Sequence, residues 1–292
     1  TIARIKTALK IFTTYLEDER GVSTPEALTL EHIHAFQVHL GARLTKHGLP
    51  MKPRSINSVV KGVRPFLGQL YERGLLRRPL AKHLQYVKVP DLLPTSILTH
   101  AQVKQLMDKI DTTTPAGIRD RAAIELLYSS GIRIGELEGL TLQDIDLERG
   151  IARVVGKGRK ERYVPIGKTA LKWLSSYIRG VRSFLVRGRD CEAVFINQAG
   201  RPLSQHSMRD RVRDYGRQFE LETCAAGGGV HITPHTFRRS CTTEMIKGNA
   251  NLYHVKQLLG HSSFETLNRY ARLDISDLRK THTKCHPREH DD

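Results

Sequence analysis

The chain has 292 residues, which suits two domains of ordinary size better than one. It carries 47 Lys and Arg residues against 30 Asp and Glu residues, a formal net charge of +17, which favours a phosphate-bearing polymer as partner. Because it has no run of about 18 uncharged apolar residues and no basic start followed by an apolar stretch, we expect a soluble, intracellular protein without a membrane partner.

The positive charge is concentrated in the first third of the chain. Residues 1–90 carry 15 basic and 6 acidic residues, whereas the remaining 202 residues carry 32 and 24. Per residue, the first third is therefore about twice as basic, and it is the stronger candidate for wrapping a polyanion.

The cysteines predict neither a disulfide framework nor a metal site. Four cysteines are present, and none of them forms a C-x-x-C pair. The residues near the end that have metal-binding side chains are irregularly spaced: His282, Cys285, His286 and His290. We expect free thiols, no metal and no cofactor.

The first third of the chain predicts a small, all-helical module. Apolar residues at helical spacing indicate a helix over 1–20 and a second helix from about Leu30 to Leu44. A third helix is expected to begin near Ser55, taken as its N-cap, and Pro65 should kink it. Gly74 marks its end.

A connector follows this module. Two prolines, Pro90 and Pro94, resist helix formation and favour an extended segment. We therefore predict a helical domain over residues 1–86, a linker over 87–97 and a second domain over 98–292.

The second domain is predicted to open with helices. Thr99 has the character of an N-cap for a helix that contains Val103 and Leu106. A longer apolar helix from Ile118 to Leu137 is interrupted at Gly131.

A small antiparallel sheet is expected next, because two β-branched runs flank a glycine-rich, basic tip at residues 156–160. The runs Ile151–Val155 and Arg162–Ile166 predict a hairpin, and Ala193–Ile196 predicts a third short strand. From about Ser204 the chain is mostly helical. The fold class is mainly α with a small antiparallel sheet.

Six polar residues in this domain form an ordered set that suits chemistry on a phosphate: Arg133, Lys157, His235, Arg238, His261 and Tyr270. Taken singly, an arginine, histidine or tyrosine is more often a surface or core residue. The combination of all six in a strongly basic chain is what indicates a site. His235 and Arg238 are three residues apart, so they should face the same side of one helix.

In order, spacing and flanking sequence, this set resembles the tyrosine recombinase/integrase family, and its bacterial Xer-type branch most closely. The matching segments include Gly131-Ile132-Arg133, the His-Thr-Phe-Arg motif at 235–238 and the Leu-Leu-Gly-His motif at 258–261. The resemblance spans nearly the whole chain. It implies a helical core-binding (SAM-like) domain followed by an α+β catalytic domain. Arg239 departs from the pattern, since relatives often have histidine there.

The resemblance implies a site-specific recombinase that cleaves and rejoins DNA through a 3′-phosphotyrosyl intermediate, without metal or ATP. The phenol of Tyr270 would be the nucleophile. Arg133, Arg238 and His261 would stabilise charge on the phosphate. Lys157 would protonate the leaving 5′-oxygen.

Two further positions complete the expected site. His235, whose ordinary pKa lies near neutrality, would be the base for the tyrosine proton. Glu136, three residues after Arg133, matches the acidic residue that often accompanies this site, where it would orient neighbouring groups.

Contacts with duplex DNA are expected from both domains, closing around it as a C-shaped clamp. Four candidates lie on one face of the third helix: Arg54, Asn57, Lys61 and Arg64. The second domain offers Arg159, Lys160 and Arg239.

Strand exchange between two duplexes implies four protomers on DNA, either a homotetramer or a heterotetramer with a second recombinase. The segment after Tyr270 would link neighbours, and the protein would work in the cytoplasm at the nucleoid. Two alternatives remain at this point, namely a type IB topoisomerase-like enzyme and a non-catalytic DNA-binding architectural protein. The target sequence, and the choice between resolution, integration and inversion, also remain open.

Overall fold

The computed structural model of the chain describes residues 2–45, 48–90, 97–156, 158–218 and 232–260. These residues are mostly helical and include one small antiparallel sheet, so the predicted fold class is confirmed. The chain divides into two compact units, Thr1–Asp91 and Leu92–Asp292, and each has its own buried core. None of the helices in the described ranges has both the length and the apolar character needed to cross a membrane.

The first unit is built from three long helices: α1 (Ile2–Arg20), α2 (Leu30–Ala42) and α3 (Pro53–Glu72). Short 3₁₀ turns at Pro25–Ala27 and Leu80–His83 follow α1 and α3. The apolar faces of the helices enclose one core in which aromatic rings of α1 and α2 meet edge to face.

The start of α3 differs from the prediction, because Ser55 is not its N-cap. Lys52 holds the cap position and Pro53 is the first helical residue. Proline suits that position since its φ is already helical and its missing N–H would have no intrahelical partner. The helix continues across Pro65 as far as Glu72.

Gly62 sets the distance between α1 and α3. A Cβ atom added at Gly62 would lie 2.6 Å from the Cβ of Ala8 on α1. Real Cβ atoms do not approach so closely, so the two helices pack at this separation only because position 62 has no side chain.

The helices of the second unit pack around the sheet and around one another. In chain order they are α4 (His100–Asp108), α5 (Pro115–Ser130), α6 (Ile134–Glu138), α7 (Lys168–Ser176), α8 (Arg182–Val186), α9 (Gln205–Gln218), α10 (Pro234–Lys247) and α11 (Leu252–Leu259). A π-helical turn, Tyr177–Val181, joins α7 to α8. The predicted cap at Thr99 is confirmed, because its side chain accepts a hydrogen bond from the backbone of Gln102.

The sheet contains the predicted hairpin but a different third strand. Its strands are β1 (Ile145–Asp146), β2 (Ile151–Val155) and β3 (Glu161–Pro165), antiparallel in the order β1-β2-β3. The prediction of a strand at Ala193–Ile196 was wrong. That segment makes only isolated bridges, with Thr141 and with Pro202. The backbone hydrogen bonds of this segment are divided between two neighbouring segments. Pro202 in one of them cannot extend a β-ladder, because it has no N–H.

Gly62→Ala should lower the free energy of unfolding of the first unit by about 1–3 kcal/mol, because the added methyl group forces α1 and α3 apart. Gly68→Ala is the matched control on the same helix, since no atom lies within 4 Å of its added Cβ. This control should raise the stability by up to about 1 kcal/mol, through the better helix propensity of alanine. Urea unfolding followed by circular dichroism measures both variants. A Gly62→Ala protein as stable as the control would contradict the close approach.

Candidate active site

An open pocket of about 690 Å³ lies in the second unit, bordered by α6, the end of β2, α9 and α10. Its ionisable lining residues are Arg133, Glu136, Arg209, Arg213 and His235. Three of these carry a fixed positive charge, and the single carboxylate is paired with arginines, so the pocket suits an anion.

Arg133 reaches the pocket from a break between two helices. The chain leaves α5 through Gly131, which has the left-handed conformation (φ 61°) that favours glycine. Ile132 then enters the core, and Arg133 occupies the N-cap position of α6. The structure thus places Arg133 at the helix boundary that the sequence indicated, with 38% of its side chain exposed.

Glu136 is a buried carboxylate held by two arginines. Its oxygens accept hydrogen bonds from the backbone N and Nη1 of Arg133, both at 2.8 Å. They also accept from Nη1 and Nη2 of Arg162, at 2.9 and 2.8 Å. Burial alone would raise the pKa of Glu136, but the hydrogen bonds from Arg162 and Arg133, with their charges, lower it to about 2. Glu136 is therefore ionised at any physiological pH.

Arg162 was not among the predicted site residues. The alternation of β3 contained a signal for it, because Arg162 lies on the same face as the fully buried Val164. An arginine on the inward face of a strand needs an acidic partner. The sequence did not say which carboxylate that would be, and the partner lies 26 positions away.

Arginines also hold the carboxyl end of α11. Three consecutive backbone carbonyls each accept a hydrogen bond from a different arginine: Leu258 from Arg162 (2.8 Å), Leu259 from Arg238 (2.6 Å) and Gly260 from Arg133 (3.1 Å). The last carbonyls of a helix have no intrahelical partner and carry the negative end of its dipole, so cations stabilise them. The helix that leads to position 261 is therefore anchored by the arginines of the site.

His235 and Arg238 lie in the first turns of α10, whose start is capped by Thr233. Arg238 is only 4% exposed, and it donates to the backbone carbonyl of Gly131 as well as to α11. It is not among the residues that line the pocket. Burial and the charge of Arg133 lower the pKa of Arg238 to about 10, so it stays protonated at neutral pH.

His235 is exposed at the pocket wall. Its partial withdrawal from water lowers the pKa of its imidazole, and the positive charges of Arg239, Arg238 and Arg133 lower it further. Each of these effects disfavours the imidazolium. At neutral pH the side chain is therefore predominantly neutral and able to accept a proton.

Two pocket residues that the sequence reasoning missed, Arg209 and Arg213, lie one turn apart on α9. The sequence indicated them in part, because a helix that buries Met208 and Val212 on one face must turn its other side chains towards solvent or towards another element. Nothing in the local pattern indicated that this other face meets the site.

The position of α9 is set by the buried carboxylate of Asp120 on α5. Asp120 is fully buried, is paired with Arg119, and accepts hydrogen bonds from Arg211 (3.0 Å) and from the hydroxyl of Tyr215 (2.8 Å) on α9. Burial and the neighbouring carboxylate raise the pKa of Tyr215 well above its ordinary value. This network fixes the rotation of α9 about its axis, and hence the direction of its pocket-facing arginines.

The DNA-contact candidates of the second unit lie near the pocket. Arg159 and Lys160 are exposed at the hairpin tip, where Arg159 has a positive φ of 58°. The tip is closed by a hydrogen bond of 2.8 Å from the backbone N of Gly156 to the carbonyl of Lys160. Arg239 is half-buried on α10. Both tip residues are therefore accessible to a phosphate backbone.

On α3 of the first unit, the four candidates divide into two kinds. Arg54 and Lys61 are exposed. The amide of Asn57 makes two hydrogen bonds of 2.8 Å with the backbone of Val87. The guanidinium of Arg64 lies over the ring of Tyr86 at 5.2 Å from its centroid. These two residues hold the chain at 86–87 against α3, so the first position of the predicted linker is tied to the helical unit.

Lys157, His261 and Tyr270 lie outside the described residues, as does the group of histidines and a cysteine near the end of the chain. Within the part of the chain that the structure describes, no cluster of three or more His, Cys, Asp or Glu residues could hold a metal ion.

Glu136→Gln should cost roughly 3 kcal/mol of unfolding free energy at neutral pH, the value that corresponds to a pKa lowered from 4.5 to about 2. Because the pKa is lower in the folded chain, this contribution is complete above the ordinary pKa and is lost as the pH falls towards 2. The stability difference between wild type and variant, measured by urea unfolding, should therefore shrink on acidification.

The matched control for this comparison is Glu148→Gln, which alters an exposed carboxylate of the same unit. Its effect on stability should be within about 0.5 kcal/mol at every pH. A Glu136→Gln effect that stays constant down to low pH would contradict the two ion pairs.

The comparisons with known proteins identify the family of the chain. The model of the phage integrase family matches residues 96–276. Tyrosine recombinase XerD of Pseudomonas putida is 33% identical over 283 residues, covering 96% of this chain and 89% of that protein. Tyrosine recombinase XerC 2 of Ralstonia nicotianae is 33% identical, covering 98% of this chain and 80% of that protein. The crystal structure of XerH site-specific recombinase bound to difH substrate shares the fold, with a TM-score of 0.70 at 19% identity over 97% of this chain and 79% of that chain. The chain therefore belongs to the phage integrase family of tyrosine site-specific recombinases.

Proposed function

We propose that this recombinase cuts a DNA strand by attack of the Tyr270 hydroxyl on a phosphodiester and later rejoins it. The P–O5′ bond breaks as the tyrosine–phosphorus bond forms, which leaves a 3′-phosphotyrosyl linkage and a free 5′-hydroxyl. Attack by a 5′-hydroxyl on that linkage reverses the step, so no ATP is needed, and no step is assigned to a metal ion. The observation that carries the proposal is that Arg133 and His235, 102 positions apart, line the same anion-suited pocket.

Arg133 and Arg238, together with His261, are assigned to the charge on the nonbridging oxygens. Guanidinium groups present paired donors that match phosphate oxygens and remain charged at physiological pH. Support comes from Arg238, which keeps its proton at neutral pH despite burial. Both arginines are also fixed by hydrogen bonds to backbone carbonyls, so they require little reorganisation when the phosphate becomes more negative.

Two groups are assigned to the proton transfers. His235 takes the proton of the Tyr270 hydroxyl, and its lowered pKa supports this role because the neutral imidazole is the form that accepts. Lys157 gives a proton to the leaving 5′-oxygen. Its position in the sequence, directly after Val155 and Gly156, which both line the pocket, supports the second assignment.

Duplex DNA is the proposed partner of both units. The exposed side chains of Arg54 and Lys61 on α3, and of Arg159 and Lys160 on the hairpin, suit phosphate and base-edge contacts. Arg239 is proposed as a further phosphate contact. Asn57 and Arg64 support the same face of α3 by holding residues 86–87 in place.

Strand exchange needs two duplexes with two half-sites each, so we propose four protomers on DNA. The assembly is a homotetramer, or a heterotetramer with a second recombinase, linked through the segment after Tyr270. This segment is too short to build its own core, and it has apolar residues close to helical spacing at Leu273, Ile275 and Leu278. The protein acts in the cytoplasm, on the DNA of the nucleoid.

Tyr270→Phe should retain DNA binding but abolish cleavage, because it removes the attacking oxygen and keeps the ring. The substrate is a nicked duplex that carries a site selected by this variant from a random pool, and the measurement is a covalent protein–DNA band in denaturing electrophoresis. The assay is run in excess EDTA. Tyr253→Phe, which alters an exposed tyrosine of α11, is the matched control and should cleave normally.

Each result separates the proposal from the alternatives. A covalent band from Tyr270→Phe would refute the assigned nucleophile, and a strict need for magnesium in the cutting step would refute the assigned role of the arginines. Binding by the wild type without any covalent band would indicate an architectural DNA-binding protein. Relaxation of supercoiled DNA without strand exchange would indicate a topoisomerase.

Lys157→Ala should slow cleavage by about 10²–10⁴-fold, the usual contribution of a positioned proton donor. A substrate with a 5′-bridging phosphorothiolate at the mapped cleavage position should recover most of that rate, because sulfur leaves without a proton. Lys160→Ala is the control from the same tip, and its expected defect is weaker binding that the sulfur does not correct. Equal loss on both substrates for Lys157→Ala would show that another group is the acid.

A further inference from the structure

Arg162 lies on β3 at a point where three elements of the second unit meet. Its side chain is 14% exposed and faces inward with Val164, whereas Tyr163 between them is 72% exposed. It comes five positions after Lys157 along the hairpin. It is not among the residues that line the pocket.

The guanidinium of Arg162 uses all three of its nitrogens. Nη1 and Nη2 donate to the two oxygens of Glu136 at 2.9 and 2.8 Å, while Nε donates to the carbonyl of Leu258 at 2.8 Å. Two parallel donors match the two oxygens of a carboxylate, and a lysine ammonium cannot reproduce that fork. One side chain therefore joins β3 to α6 and to the end of α11.

The face of the same guanidinium covers Gly260. A Cβ at Gly260 would lie 3.1–3.3 Å from Nη1, Cζ and Nε of Arg162. Gly260 also has a φ of 61°, which a side chain would strain. The turn that leads into position 261 thus packs directly on Arg162.

Arg162 shares with Arg133 the compensation of the buried charge of Glu136. Oε1 of Glu136 accepts from Nη1 of both arginines, at 2.8 Å from Arg133 and 2.9 Å from Arg162. Without Arg162, the buried carboxylate would depend on Arg133 for its compensation. Arg133 would then be drawn towards Glu136 and away from the pocket.

We propose that Arg162 is a positioning residue for strand cleavage, which holds the Lys157 hairpin, the Arg133 guanidinium and the turn before His261 in one fixed arrangement. The proposal rests on the proposed function, because it concerns the steps assigned to those three residues. A purely structural role would be different. It would lower stability and binding, and it would slow cleavage by the same factor whatever the leaving group.

The test uses Arg162→Lys, which keeps the charge and removes the fork. Its matched control is Arg153→Lys on β2 of the same hairpin, whose partners Asp144 and Glu161 lie outside the pocket. Thermal unfolding, gel-shift binding to the selected site and the single-turnover rate of covalent adduct formation at saturating protein are measured for both. The rate is measured on the ordinary substrate and on the 5′-bridging phosphorothiolate.

We expect Arg162→Lys to bind within about threefold of wild type but to cleave the ordinary substrate at least about tenfold more slowly. The phosphorothiolate should recover part of this loss, because it removes the need for a correctly placed Lys157 but not for Arg133. Arg153→Lys should stay within about threefold of wild type on both substrates. Equal loss on both substrates for Arg162→Lys, or no loss, would overturn the proposal.

A second variant covers the case in which Arg162→Lys does not fold. The double substitution Glu136→Gln, Arg162→Gln removes the buried charge together with one of its two arginine partners, and it should give the same partial recovery with the phosphorothiolate. Absence of the adduct from the wild type would refute the proposed function itself. A normal adduct from the wild type, with an equal rate loss for the variants on both substrates, would refute the positioning role alone.

Discussion

The buried carboxylate of Glu136 is the interaction on which the arrangement of the site depends. A buried charge is tolerated only when it is paired and hydrogen-bonded. Glu136 satisfies that condition with two arginines, one at the start of its own helix and one on β3. Because the two arginines come from different elements, their ion pairs with Glu136 fix how α6 and the hairpin approach each other. The same ion pairs fix one edge of the pocket.

Repulsion between like charges is a further constraint on the site. Arg133, Arg162 and Arg238 lie close enough for their charges to influence one another, and the repulsion from Arg133 contributes to the lowered pKa of Arg238. One carboxylate and three carbonyls at the end of α11 offset part of this repulsion. An anion in the pocket would offset more of it. The arginines are therefore held in place by protein acceptors while their charge is only partly offset, an arrangement that suits preorganised binding of an anion.

The scaffold around the pocket combines tightly packed and accessible parts. Many residues of α5 and α10 are buried, and Asp120 ties α9 to α5 through Arg211 and Tyr215. The hairpin tip is exposed and has a left-handed residue at its turn. Of the two arginines proposed to stabilise charge, Arg238 is thus on a packed helix and Arg133 caps α6, whereas the tip next to the proposed proton donor is exposed. This division suits the proposed reaction, in which the leaving group departs and later returns.

The sequence by itself determined the features that follow from local rules. The helix break at Gly131, the cap at Thr99, the hairpin and the shared helix of His235 and Arg238 all depend on neighbouring residues, and all are present. The roles of Lys157, His261 and Tyr270 came from resemblance to a family. Only the tertiary structure decided that Arg162 would donate hydrogen bonds to Glu136 and Leu258. It also decided that Arg209 and Arg213 would line the pocket. The same holds for the hydrogen bonds between Asn57 and Val87. These contacts join residues far apart in the chain, and a local pattern records that a polar group needs a partner but not which distant element will supply it.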